Sequence, residues 1–144
     1  MDLSKELNPH TVAGVLKLFF TELPNPLFSF ELYPAFIEAA SFTDLNIRLW
    51  CIKQVIESLP PGNRAVLQRV ISMFVKISMH SEINKMSPKN IATIMNPALF
   101  RDPSDLSISS FMKNGGMHVR LVTLLIAHYQ ALFEVMIIFL FYFL

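Results

Sequence analysis

Proline and glycine cut this chain into stretches the length of a short helix, and within each stretch the apolar residues return at every third or fourth position. That spacing is the helical period. No alternating apolar and polar segment is long enough to argue a sheet. Asn8 is a candidate N-cap with Pro9 at the first helical position, where its missing N–H costs nothing. Val12, Val15, Leu16, Phe19 and Leu23 then predict one buried stripe, and Pro24 and Pro26 end the helix. A second helix is predicted over about Phe30 to Ala40. A third runs from a Thr43 cap to about Leu59, with Leu45, Leu49, Ile52, Ile56 and Leu59 inward and Pro60-Pro61-Gly62 as its stop. Asn63 is expected to cap a fourth, in which Val66, Leu67, Val70, Ile71, Phe74 and Ile77 repeat the period. A fifth opens at Ser87-Pro88 and is expected to stop near Asn96, because the residue before Pro97 is pushed out of the α region. Pro103 to Lys113 reads as a loop with a short helix, closed by Gly115-Gly116, and a last helix begins near Met117. The chain therefore reads as an all-α bundle of about six or seven helices.

Its 144 residues make one domain, read as 2–133 with an apolar tail over 134–144. A chain of this length buries about two thirds of its unfolded surface. Hydrophobic residues make up 53% and charged ones 16%, so much apolar surface must be hidden in a core or against a partner. The net charge is +1 and the basic residues are scattered, which argues against nucleic acid as a partner. Cys51 is the single cysteine, so an intrachain disulfide or a cysteine zinc cluster is excluded. Together with an N-terminus that lacks a signal-peptide apolar core, this fits a cytoplasmic protein. Val135–Leu144 is uncharged, but a membrane span needs about 20 apolar residues and Glu134, Gln130, His128 and Arg120 interrupt it upstream. A packed helix end, a β-prone tail or a segment foreign to the domain are the competing readings, with a membrane anchor the weaker alternative.

Three groups are candidates for chemistry. Lys17 stands one turn from Thr21, off the predicted buried stripe, beside Gly14, which leaves a flat surface. A lone helical lysine is most often simply solvated. Asn90 lies near the start of the fifth helix, where asparagine is tolerated. The histidines His10, His80, His118 and His128 never fall four apart, so no helical metal pair is expected. Met73, Met79, Met86 and Met95 read as core filler. No nucleophile motif or phosphate loop is present, so a self-contained enzyme, a metal site and a cofactor are not expected.

Order changes the weight of these signals. NPHTVAGVLKLFFTELPNPLF (Asn8–Phe28) resembles the RhoGAP pattern D-P-H-x-V-A…L-L-K-x-(F/Y)-x-R-E-L-P-x-P-L, and ISMHSEINKMSPKNIATIMNPALFRD (Ile71–Asp102) is similar to that family's H…N-K-M-(T/S)-x-x-N-L-A…P-x-L stretch. The resemblance covers roughly residues 2 to 133. It implies an all-α domain that binds GTP-loaded Rho-family small GTPases and promotes GTP hydrolysis. Lys17, Thr21, Asn90 and Pro97 match positions on the GTPase-binding side. The family arginine that often follows the lysine is Thr21 here, and the glycine and asparagine of its G-P-N-L stretch are Asn96 and Ala98.

The resemblance also implies a departure at the front. The family's catalytic arginine sits in a G-(I/L)-F-R-x-S-G loop upstream of Met1, and none of Arg48, Arg64, Arg69, Arg101 or Arg120 stands in such a loop. Missing leading helices are expected to uncover apolar surface and leave the domain marginally stable. An arginine finger contributes about 10³–10⁵ in rate, and lysine, a compact point charge without the planar fork, is no simple substitute. No catalytic residue is therefore assigned, and weak activation is expected. The alternatives are a non-catalytic GTPase-binding or scaffold module and a membrane-tethered helical protein.

Overall fold

The computed structural model describes residues 8–103 and 108–134, with the backbone alone over 108–114. Among the described residues there are eight helices and no strand. In order they are α1 (Pro9–Thr21), α2 (Tyr33–Ser41), α3 (Leu45–Glu57), α4 (Pro61–Ser78), α5 (Ser81–Asn84), α6 (Pro88–Leu99), α7 (Ile108–Ala127) and α8 (Tyr129–Phe133). The all-α architecture is as expected, and the short α5 and α8 raise the count. Of the loop expected over Pro103 to Lys113, residues 104–107 lie outside the described residues, as does the tail over 135–144, while 108–113 belong to α7, which begins at Ile108 and not near Met117.

Helix starts follow local chemistry. The Asn8 side chain accepts from His10 N at 3.0 Å, and Ser87 Oγ accepts from Asn90 N at 3.2 Å. Pro9 and Pro88 occupy first-turn positions that need no N–H. At α3 the cap is Asp44 rather than Thr43, with its carboxylate accepting from Ile47 N at 2.9 Å. Asn63 does not cap α4. Pro61 opens that helix, and Asn63 Nδ2 instead donates to the Leu27 carbonyl at 3.0 Å, tying α4 to the turn after α1.

Two expected stops are overridden by packing. Pro97 lies inside α6, which continues to Leu99. An interior proline costs about 3 kcal/mol, but the extra turn buries Ala98 and Leu99 and places Phe100 in the core. The Phe100 N–H closes this turn on the Asn96 carbonyl at 2.9 Å. Gly115-Gly116 likewise lies within α7 and ends nothing. Each glycine costs only about 1 kcal/mol there.

The core forms where α6 meets α1, α4 and α7, and where α2 packs on α3 and α7. Phe100 is its hub, with ring centroids 4.7 Å from Phe28, 5.2 Å from Tyr33, 6.1 Å from Phe36 and 4.7 Å from His118. Buried polar groups are joined where the chain crosses this cluster. Tyr33 O–H donates to Asp102 Oδ2 at 3.0 Å and lies 2.9 Å from His118 Nε2, linking α2, the segment after α6, and α7.

The inward face of α1 differs from the predicted stripe. Phe20 is the buried ring, at 2% exposure, while Phe19 is 58% exposed and Val12 also faces out. Leu16 and Leu23 pack against the core as expected, so the departure is the inward ring, which is Phe20, about 100° round the helix from Phe19. Leu45 and Val66 are likewise exposed, whereas Leu67, Val70, Ile71 and Phe74 are buried as expected.

Asn96 is a cost within this packing. It is 3% exposed, and its Oδ1 has no hydrogen-bond partner. A buried acceptor left unpaired costs about 1–3 kcal/mol. Asn96→Ala should therefore raise the stability of the chain by about 1 kcal/mol in urea unfolding. A loss of stability would show that the amide is satisfied in solution.

Candidate functional site

Helix α1 carries a single charge, Lys17, and packs on α6. The spacing of its solvent-facing residues makes a second stripe: Gly14, Lys17, Leu18 and Thr21 recur at i, i+3, i+4 and i+7. A Cβ added at Gly14 would meet nothing within 4 Å, so this end of the stripe is open and flat. Lys17 is half-buried, and among the described residues its ammonium makes no hydrogen bond or ion pair. Thr21 Oγ donates to the Lys17 carbonyl at 2.8 Å. That hydroxyl is used within the helix.

On α6, Asn90, Thr93, Ile94 and Pro97 recur with the same i, i+3, i+4, i+7 spacing, and all four are exposed. The opposite side carries Ile91, Ala92, Met95, Ala98 and Leu99 into the core. The four residues singled out in the sequence therefore lie on exposed stripes of two adjacent helices: Lys17 and Thr21 on α1, Asn90 and Pro97 on α6. Leu18, 56% exposed, and Ile94, 45% exposed, add apolar area that sequence reasoning missed. Continuing the helical period from Asn90 to Pro97 would have found Ile94. Leu18 is hidden in the apolar run of its helix.

Asn90 has a local task. Its Nδ2 donates to the Lys85 carbonyl at 2.8 Å, and Lys85 adopts a left-handed conformation with φ of 58°. For a non-glycine residue this conformation costs about 1–2 kcal/mol, so the bond helps hold the turn between α5 and α6. At the other end, Arg101 Nη2 donates to the Leu23 carbonyl, and its guanidinium lies 5.5 Å over the Phe30 ring. This clamps the Pro-rich turn after α1. In that turn the Ser29 hydroxyl, with help from Asn25, holds the Glu31 carboxyl below its ordinary value of 4.5.

The arginines divide by position. Arg48 is buried and donates to the Phe42 and Thr43 carbonyls at 2.6 and 2.9 Å, and desolvation lowers its pKa. Arg101 is engaged as described. Arg64 and Arg69 lie on α4 and Arg120 on α7. No arginine stands on α1 or α6. Among the described residues no cluster of histidine, cysteine or carboxylate could hold a metal. His118 belongs to the aromatic core.

The class this geometry defines is an all-α helical domain in which α1 and α6 each carry an exposed stripe. The RhoGAP domain family profile matches residues 1–104. The chain is 44% identical over 105 residues to Rho GTPase-activating protein gacJJ of Dictyostelium discoideum, covering 73% of this chain and 12% of that protein. It is 33% identical over 135 residues to gacN of the same organism, covering 94% of this chain and 22% of that protein. The crystal structure of human Rho GTPase activating protein 15 superposes with a TM-score of 0.84 at 27% identity, covering 92% of this chain and 63% of that one. The chain belongs to the RhoGAP domain family. It spans less than a quarter of the length of either of these two curated relatives.

Proposed function

We propose that this domain binds GTP-loaded Rho-type small GTPases through the paired stripes of α1 and α6, and promotes GTP hydrolysis weakly. One observation carries the reading. Lys17, on the helix that bears the family pattern, makes no hydrogen bond or ion pair among the described residues; Leu18 is exposed beside it, and Ile94 is exposed on the adjacent α6. A cation bounded by apolar side chains suits a partner surface that presents a carboxylate within an apolar rim.

A second reading, a non-catalytic GTPase-binding module, is favoured by the arginines. Two are held by backbone carbonyls, and the others stand on α4 and α7. Binding alone would still order the GTPase's own catalytic groups. Single-turnover hydrolysis by a Rho-type GTPase separates the two readings. This chain should accelerate it by less than about 10³, the lower limit of what an arginine finger supplies. Nucleotide-dependent binding with no acceleration at all selects the non-catalytic module. Acceleration above that limit would contradict both, and would assign a finger role to one of the five arginines.

A cytoplasmic location follows from this partner. Among the described residues no helix is long and apolar enough to cross a membrane. Tethering through 135–144 is the weaker alternative. Liposome flotation of the full chain, with and without those residues, tests it.

A further inference from the structure

Helix α4 turns a second surface to solvent. Its 18 residues include Arg64, Arg69 and Lys76 but no aspartate or glutamate. Ala65, Arg69, Ser72, Lys76 and Met79 line two depressions of about 620 and 410 Å³, which share Ser72 and Tyr129 and so form one groove beside α8. These positions step by four, three, four and three residues. That spacing sets all five on one face of the helix. Ala65 and Ser72 are small enough for close approach, and Met79, 75% exposed, offers an adaptable apolar contact. Arg69 and Lys76 are seven residues apart, about 10.5 Å along the axis. Both are exposed, and neither is hydrogen-bonded or ion-paired among the described residues. Glu134, at one end, is the single carboxylate among the described lining residues.

We infer that this groove docks an acidic amphipathic helix of a partner protein, with carboxylates seven residues apart set against Arg69 and Lys76. The surface belongs to α4 and α8 and not to the α1–α6 face, so the inference stands independently of the proposed GTPase binding. Charge complementarity selects the occupant. An uncharged apolar segment would leave both cations facing it without partners, and a basic one would be repelled.

The test uses the full chain and a fluorescein-labelled helical peptide of about three heptads, with leucines on its seam and a glutamate at every seventh position. Anisotropy should show saturable binding that weakens at least about tenfold in Arg69→Glu/Lys76→Glu, and also weakens as salt rises. Both side chains are exposed, so circular dichroism of the double variant should match the parent. A matched peptide with lysine at the glutamate positions should not bind. Absence of binding by the full chain overturns the proposal, whether its own apolar end or a second copy fills the groove. Equal binding of the lysine peptide, or binding unchanged in a folded double variant, overturns it as well.

Discussion

Lys17→Glu is expected to weaken binding of a GTP-loaded Rho-type GTPase by about 10- to 100-fold, which corresponds to roughly 1.4–2.8 kcal/mol. The size follows from position. The ammonium has no partner among the described residues, so its charge is available to a docked protein. It is half-buried, so an interface closing over Leu18 and Ile94 would desolvate it further and strengthen its pairing with a partner carboxylate. Reversing the charge would set two like charges together in that dry setting. Stability should change little, because the ammonium makes no hydrogen bond or ion pair among the described residues. A titration by fluorescence anisotropy, with thermal melts of the same preparations, separates the effects. Unchanged affinity would remove the α1–α6 face from the account.

Phe100→Ala should be the most damaging single truncation in the core, costing about 3–5 kcal/mol. Phe100 is 2% exposed and touches four other rings, contributed by the turn after α1, by α2 and by α7. Removing it would leave a cavity that residues on separate elements cannot collapse to fill. It also follows α6 directly, where its burial compensates for the proline inside that helix. A domain of this size has only about 5–15 kcal/mol of net stability. Loss of most of the cooperative transition in urea unfolding is therefore expected. A cost below about 1 kcal/mol would mean that the ring cluster is loosely packed.

Two helix starts were legible in the sequence, while those of α3, α4 and α7 were misplaced. Asn8-Pro9 and Ser87-Pro88 act through bonds within one turn, so the residues at hand suffice to predict them. Helix ends were not legible in the same way. Whether α6 stops before Pro97 depends on what Leu99 and Phe100 can bury against residues distant in the chain. The burial of Phe20 in place of Phe19 on α1 has a related cause. Leu16, Leu18, Phe19 and Phe20 are all apolar, so periodicity alone could not choose which ring faces α6.

For the candidate site, the helical spacing of Lys17 and Thr21 was readable, and so was the asparagine near the start of α6. The bond from Asn90 to the Lys85 carbonyl was not, because nothing in NKMSPKN announces a left-handed lysine. The clamp of Arg101 on Leu23 joins residues far apart in sequence, and no local pattern records it. Met79 and Met73, expected in the core, are exposed, because α4 spends its inward face on Leu67, Val70, Ile71 and Phe74.

The central claim is that α1 and α6 together form a surface that recognises a Rho-type GTPase in its triphosphate state. Equilibrium binding of the 144-residue chain to one such GTPase, loaded in turn with GDP, a non-hydrolysable GTP analogue and a transition-state mimic, tests it most directly. At least about tenfold tighter binding to the analogue or mimic than to the GDP form is predicted. Equal affinity for all three forms, or no binding to any, would contradict the account.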